Sequence, residues 1–259
     1  MKTVLLSLTL AAIASTQPAL SPPQVGFLQD SANSLRPVFG IAGNFLMGDS
    51  TASDVVAAAF SGSFGILKTD SALIVTDRQG QRIATQDAPA GQALFAFSRE
   101  GSPALAYFPD SNLLLAWNGG SFQLTYFDWS AFPAAAVRAI ASSDLSHASF
   151  IVQRDDGLWD LQVLLATGQL DSQAALPGVK APVLMPATGE LVYSDAQGIV
   201  VRRLDGSEVH VNAQLPASFS LRQMGDGWVE IQDLDGCAQF AARITAGQEG
   251  FYRLPEVEQ

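Results

Sequence analysis

The sequence predicts an all-β fold made of short antiparallel strands, and three observations carry the prediction. No segment shows a long apolar period near 3.6 residues. Short runs rich in Val, Ile, Leu, Phe and Trp alternate with Gly, Asp, Asn and Ser. Finally, the ends of the apolar runs recur at a nearly constant spacing along the chain.

The N-terminus comes first. Lys2 precedes an apolar run from Val4 to Ile13, the length of a signal-peptide core and too short to span a bilayer. Ala12 and Ala14 offer an A-x-A cleavage site, with Ala14 and Thr16 as a second choice; Pro18, Pro22 and Pro23 then stop any helix. Residues 1–16 are expected to be a signal peptide, removed on export, and 17–259 a single domain. The address that follows is periplasmic or secreted, with no membrane span left after cleavage. An exported chain meets oxidising conditions, but the lone Cys237 has no intramolecular partner and reads as a small buried hydrophobe of a strand Cys237–Ile244.

From residue 25 onward the clearest strands are Ile66–Asp77, Leu113–Trp117, Ser149–Arg154, Leu158–Leu165, Glu190–Ser194, Ile199–Leu204 and Trp228–Gln232. Between strands lie Gly119-Gly120, Asp156-Gly157, Asp205-Gly206 and Asp235-Gly236, dipeptides that tight hairpins favour because they tolerate positive φ. The Ala-rich stretch Pro133–Ala141 has helical propensity and is the one segment predicted as a possible helix.

The repeat is read from Phe60, Phe97, Ala141, Met185 and Met224, each closing an apolar run; their spacings are 37, 44, 44 and 39 residues, a mean of 41. A unit of about 40–45 residues holding four short strands is the signature of a β-propeller blade. The mature chain of about 243 residues then holds about six four-stranded antiparallel blades. Val25–Phe39 reads as the outer hairpin of a blade without an inner pair of its own. With Phe251–Leu254 as a terminal strand, the ring is expected to close by strand exchange between the N- and C-terminal ends, which would protect its edges.

Several stretches resemble the S-P-D-G-k-x-[LI]-[AV]-[FY] blade motif of TolB-like and related WD-like propellers. They are Met185–Tyr193, Gly198–Gly206, Ser142–Phe150 with Asp156–Asp160, and Tyr107–Trp117, where Pro109-Asp110 stands in place. The likeness spans most of residues 55–245, and no copy carries the full S-P-D-G. The resemblance implies a propeller and export, and it leaves the activity open because such propellers include enzymes and scaffolds alike.

Composition narrows the partners. Fourteen Lys and Arg face 25 Asp and Glu, for a formal charge of −11 and a pI near 4.4, so a basic stripe for nucleic acid is absent. The two histidines, His147 and His210, form no H-x-x-x-H or H-E-x-x-H pair, and no G-x-S-x-G elbow or phosphate cradle occurs. Asp233-Leu234-Asp235-Gly236 lacks the third Asp and distal Glu of a calcium loop and reads as a hairpin turn. No catalytic set, metal site or cofactor is assigned.

The segment Tyr126–Pro133 carries four aromatic residues, and Trp129, Phe132 and the following Arg138 are the candidate binding residues, since connecting loops and exposed rings mark recognition surfaces. The function expected is an exported, monomeric, non-catalytic module that binds a protein or ligand in the cell envelope. The alternative is a metal-dependent propeller hydrolase of the lactonase or esterase type, with carboxylates in the central channel. The channel decides between them: three or more Asp, Glu or Asn converging at one end favour the enzyme, and a lining of Ala, Ser and Val favours the module.

Overall fold

A computed structural model describes residues 22–98, 104–125, 136–142, 146–186, 189–236 and 238–256. The described residues contain no helix and form six antiparallel sheets, each a meander in chain order. The first sheet holds β1 (Gln24–Gln29), β2 (Leu35–Ile41) and β3 (Asn44–Met47). The second holds β4 (Ala57–Phe60), β5 (Phe64–Lys68), β6 (Ala72–Asp77) and β7 (Arg82–Asp87). The third holds β8 (Leu94–Phe97), β9 (Ala104–Phe108), β10 (Leu113–Trp117) and β11 (Phe122–Thr125). The fourth holds β12 (Ala136–Ser142), β13 (His147–Arg154), β14 (Gly157–Leu164) and β15 (Leu170–Ala175). The fifth holds β16 (Leu191–Ser194), β17 (Gly198–Arg202) and β18 (Glu208–Asn212), and a bridge from Leu184 to Val192 supplies its innermost fourth position. The sixth holds β19 (Phe219–Gly225), β20 (Trp228–Asp233), β21 (Gln239–Arg243) and β22 (Gly250–Arg253).

Period-two alternation sends successive side chains of a strand to opposite faces of its sheet, and here both faces are covered. In β9, Ala104, Ala106 and Phe108 pack toward the second sheet, while Leu105 and Tyr107 pack toward the fourth, where Tyr107 meets the edge of Phe150 at 5.9 Å between centroids. Six apolar clusters arise in this way, one between each sheet and the next, and the sixth joins the last sheet to the first. The chain is a six-bladed β-propeller. Phe60, Phe97, Ala141 and Met224 lie in the innermost strands β4, β8, β12 and β19, and Met185 follows the Leu184 bridge, so the 41-residue period is the blade period.

Two expectations are corrected here, and a third is refined. Pro133–Ala141 is not helical where it is described: Ala136–Ser142 is strand β12, because Ala139 and Ile140 are buried between blades and the fold overrides alanine's propensity. Among the described residues the ring does not close by strand exchange, since β1 pairs only with β2, and β22 only with β21 of its own sheet. The hairpin of β1 and β2 is the inner edge of its blade and gains β3 outside it.

The polarity of β1 explains the closure. Gln29, at the end of β1, reaches the carbonyl of Val55 just before β4, while Phe27 stacks on Phe60 at the end of β4 with centroids 4.4 Å apart. β1 therefore runs opposite to β4, and its first blade begins with the polarity of a second strand. Where β1 passes β19, the two backbones touch through glycines: a Cβ on Gly26 would sit 1.9 Å from the Met224 carbonyl oxygen, and one on Gly225 would sit 2.3 Å from that of Val25. Aromatic packing completes the seam. Phe45 of β3 meets Trp228 edge-on at 5.6 Å and Tyr252 at 5.9 Å.

Candidate functional site

The innermost strands of blades two to six run in one sense, opposite to β1, so the ring has a leading face, where they begin, and a trailing face, where they end. The leading half of the central channel is a cavity of about 90 Å³ walled by Ala58 and Ala59 of β4, Leu94 and Phe95 of β8, Ala139 of β12, Val183 and Leu184, and Leu221 of β19. Two charged residues share it, Arg138 of β12 and Arg222 of β19; no carboxylate is among its described lining residues. The inner strands place these residues in one layer. Counting back two from Phe60, Phe97, Met185 and Met224 gives Ala58, Phe95, Val183 and Arg222. In β12 the pairing steps from Val137 to Ala139, so Arg138 is the extra residue of a bulge and reaches the same layer from one position earlier.

A polar clasp stands behind Arg222. Its Nη1 donates to Gln29 Oε1 at 2.8 Å, Gln239 Nε2 donates to the Gln29 carbonyl at 2.8 Å, and Gln29 Nε2 donates to Asn33 Oδ1 at 3.0 Å and to the Val55 carbonyl. One buried glutamine thus ties together blades six, one and two. Glu230 lies in the same cluster, 2% exposed, and burial pushes its carboxyl up to about 7 against the lowering pull of Arg222 and of the Gln29 backbone N–H. Asp160, between blades four and five, is also raised by burial, although hydrogen bonds from Ser149 and Gln162 oppose the shift.

The larger concavity is on the trailing face at the seam. It is a groove of about 390 Å³ where β4 and β19 end and β1 begins. Phe27, Phe60, Phe64, Met224 and Trp228 form its floor, and Ile41, Gly62, Arg78, Asp226 and Arg243 stand around it. Arg243 lies over the Trp228 ring at 5.5 Å, while Ile41 is 65% exposed at the rim. A hollow with an aromatic floor and charged and polar groups at its edge has the make-up of a small-ligand or peptide site.

Of the three binding residues expected from sequence, Arg138 lies in the channel, and Trp129 and Phe132 lie outside the described residues, as does Cys237. His147 pairs with Ser146 Oγ at 2.8 Å and approaches Asp171 at 4.0 Å, while His210 meets Asp195 at 3.1 Å, both on the surface. Asp233 Oδ1 accepts from the Asp235 N–H at 3.0 Å, as a hairpin turn requires. Among the described residues no three His, Cys, Asp or Glu converge. Sequence reasoning missed Arg222, Glu230 and the seam groove. Arg222 was within reach, for Val137-Arg138 and Leu221-Arg222 both place an arginine after an apolar residue in an inner run.

No family model matches the chain, and no curated protein does. Solved structures are similar in fold alone. A protein of unknown function from Bacteroides caccae is 14% identical with a TM-score of 0.53, over 91% of this chain and 100% of that one. A chain of a nidogen/laminin complex is 10% identical with a TM-score of 0.53, over 90% of this chain and 99% of that one. The WD40 domain of Neurospora crassa Pan2 is 10% identical with a TM-score of 0.46, over 90% of this chain and 79% of that one.

Proposed function

We propose that this propeller is an exported, non-catalytic binding module that holds a small apolar ligand or a short peptide in the trailing-face groove at its seam. The groove carries the reading: it offers about 390 Å³ with an aromatic floor and Arg78, Asp226 and Arg243 to fix orientation. The apolar run at Val4–Ile13 and the TolB-like repeats support export to the periplasm or the outside. The channel supports the non-catalytic half of the reading, because Arg138 and Arg222 stand where a central cation would require carboxylates.

The test is capture from the cell envelope by the mature protein and by its Ile41→Asp variant, which places a charge at the rim without touching the core. A species held by the wild type and released by the variant is the expected result. Equal retention by both, or no retained species at all, rejects the groove as the binding site.

A further inference from the structure

The chain carries only 14 basic residues against 25 acidic ones, yet two arginines share one cavity of about 90 Å³. Apart from Gln223, their surroundings are apolar, Ala58, Leu94, Phe95, Val183, Leu184 and Leu221 among them. Two charges of one sign lining one cleft with low-dielectric walls focus their pull on a counter-ion along the channel. Arg138 is exposed to this space, and no hydrogen bond or ion pair joins it to a described residue. Arg222 gives one of its five N–H groups to the neutral oxygen of Gln29. Its acidic neighbour Glu230 is not a wall of the cavity and belongs to the clasp behind it. Two like charges in one narrow space repel unless an anion lies between them.

We propose that the leading half of the central channel is an oxyanion site in which Arg138 and Arg222 clamp one carboxylate or phosphate-type group. Size selects the class. A liquid water occupies roughly 30 Å³, so the cavity takes a group of a few heavy atoms and excludes a whole cofactor. Guanidinium forks match such groups in geometry, each able to give two parallel N–H bonds. Two sources share this chemistry, a free inorganic anion and the carboxylate at the end of a peptide entering from the leading face.

The experiment titrates the mature protein with phosphate, sulfate, acetate and a peptide ending in two glutamates, at constant ionic strength, by calorimetry. The same titrations follow for Arg138→Gln and Arg138→Lys; Arg138 has no described partner, so neither substitution removes a structural bond. The expected result is saturable one-to-one binding to the wild type, at least tenfold weaker in Arg138→Gln and partly restored in Arg138→Lys. Tighter binding of the peptide than of acetate, lost when its terminus is amidated, identifies a peptide source; binding of the inorganic anions alone identifies a free one. Sulfate also stabilises proteins by exclusion from their surfaces, and that effect is unsaturable and identical in all three proteins. If only this common effect is seen, or if Arg138→Gln binds as the wild type does, the site does not exist. The groove lies on the opposite face, so Ile41→Asp is expected to bind the anion normally, and the two proposals fail or stand separately.

Discussion

At the scale of the residue, the seam depends on atoms that are missing. Gly26 has no space for a methyl group, because the obstacle 1.9 Å away is the Met224 carbonyl, which belongs to a core strand and has nowhere to go. Gly26→Ala is expected to cost about 3 kcal/mol or more, read as a lowered urea midpoint. Glu230 makes stability depend on pH. Its carboxyl titrates near 7 in the folded protein against 4.5 when free, so its contribution is complete below about pH 4.5 and is lost as pH rises through 7. The wild type is expected to lose roughly 3 kcal/mol between pH 4 and 8 from this group, and Glu230→Gln to flatten that slope in urea titrations across the range. Buried Asp160 acts in the same direction. The layer of Ala58, Phe95, Val183 and Arg222 could be read by lining up the run ends, but the offset of Arg138 is a bulge, and a bulge leaves no mark on a string of letters. The clasp was hidden for another reason: Gln29 and Gln239 are 210 residues apart and meet only because the ring closes.

At the scale of the element, blades hold to one another through their faces and a few buried polar ties. Arg203 is such a tie. It follows β17 and pairs with Glu190 of its own blade and, at 2.6 Å, with Glu249 just before β22 of the next, with 14% of its side chain exposed. Arg203→Ala takes the shared cation from two partly buried carboxylates and is expected to cost about 2 kcal/mol. The double variant Arg203→Ala with Glu249→Gln is expected to recover part of that loss in the same denaturation assay. Strands of this kind were legible because alternation and Gly/Asp turns act locally: Leu113–Trp117 was read to the residue, and Ile66–Asp77 proved to be two strands with a short turn at 69–71. The Ala-rich β12 was legible from its place in the repeat, where Ala141 closes an inner run, but not from its composition, since its strand state comes from neighbours on both faces.

At the scale of the molecule, six clusters close a circle, and two arginines and no described carboxylate line the leading half of its channel. Millimolar calcium, magnesium or zinc is therefore expected to leave the melting midpoint of the mature protein within about a degree of its value in EDTA. A ligand that binds the native state must raise it, so a shift of several degrees with one cation would restore the hydrolase reading. The blade count was legible from the 41-residue spacing, whereas the manner of closure was not. Spacing records how many blades there are, and polarity decides which of their strands can pair.

The reversed run of β1 also has a mechanical consequence. The described chain starts on the trailing face and finishes on the leading one, and the blades at its two ends are joined by rings, a glycine contact and the bonds of Gln29 rather than by a backbone ladder. Stretched between its ends, the protein would behave as a clasped bracelet. The clasp parts first, the groove at the seam opens with it, and each blade stays knitted until the force reaches its own strands.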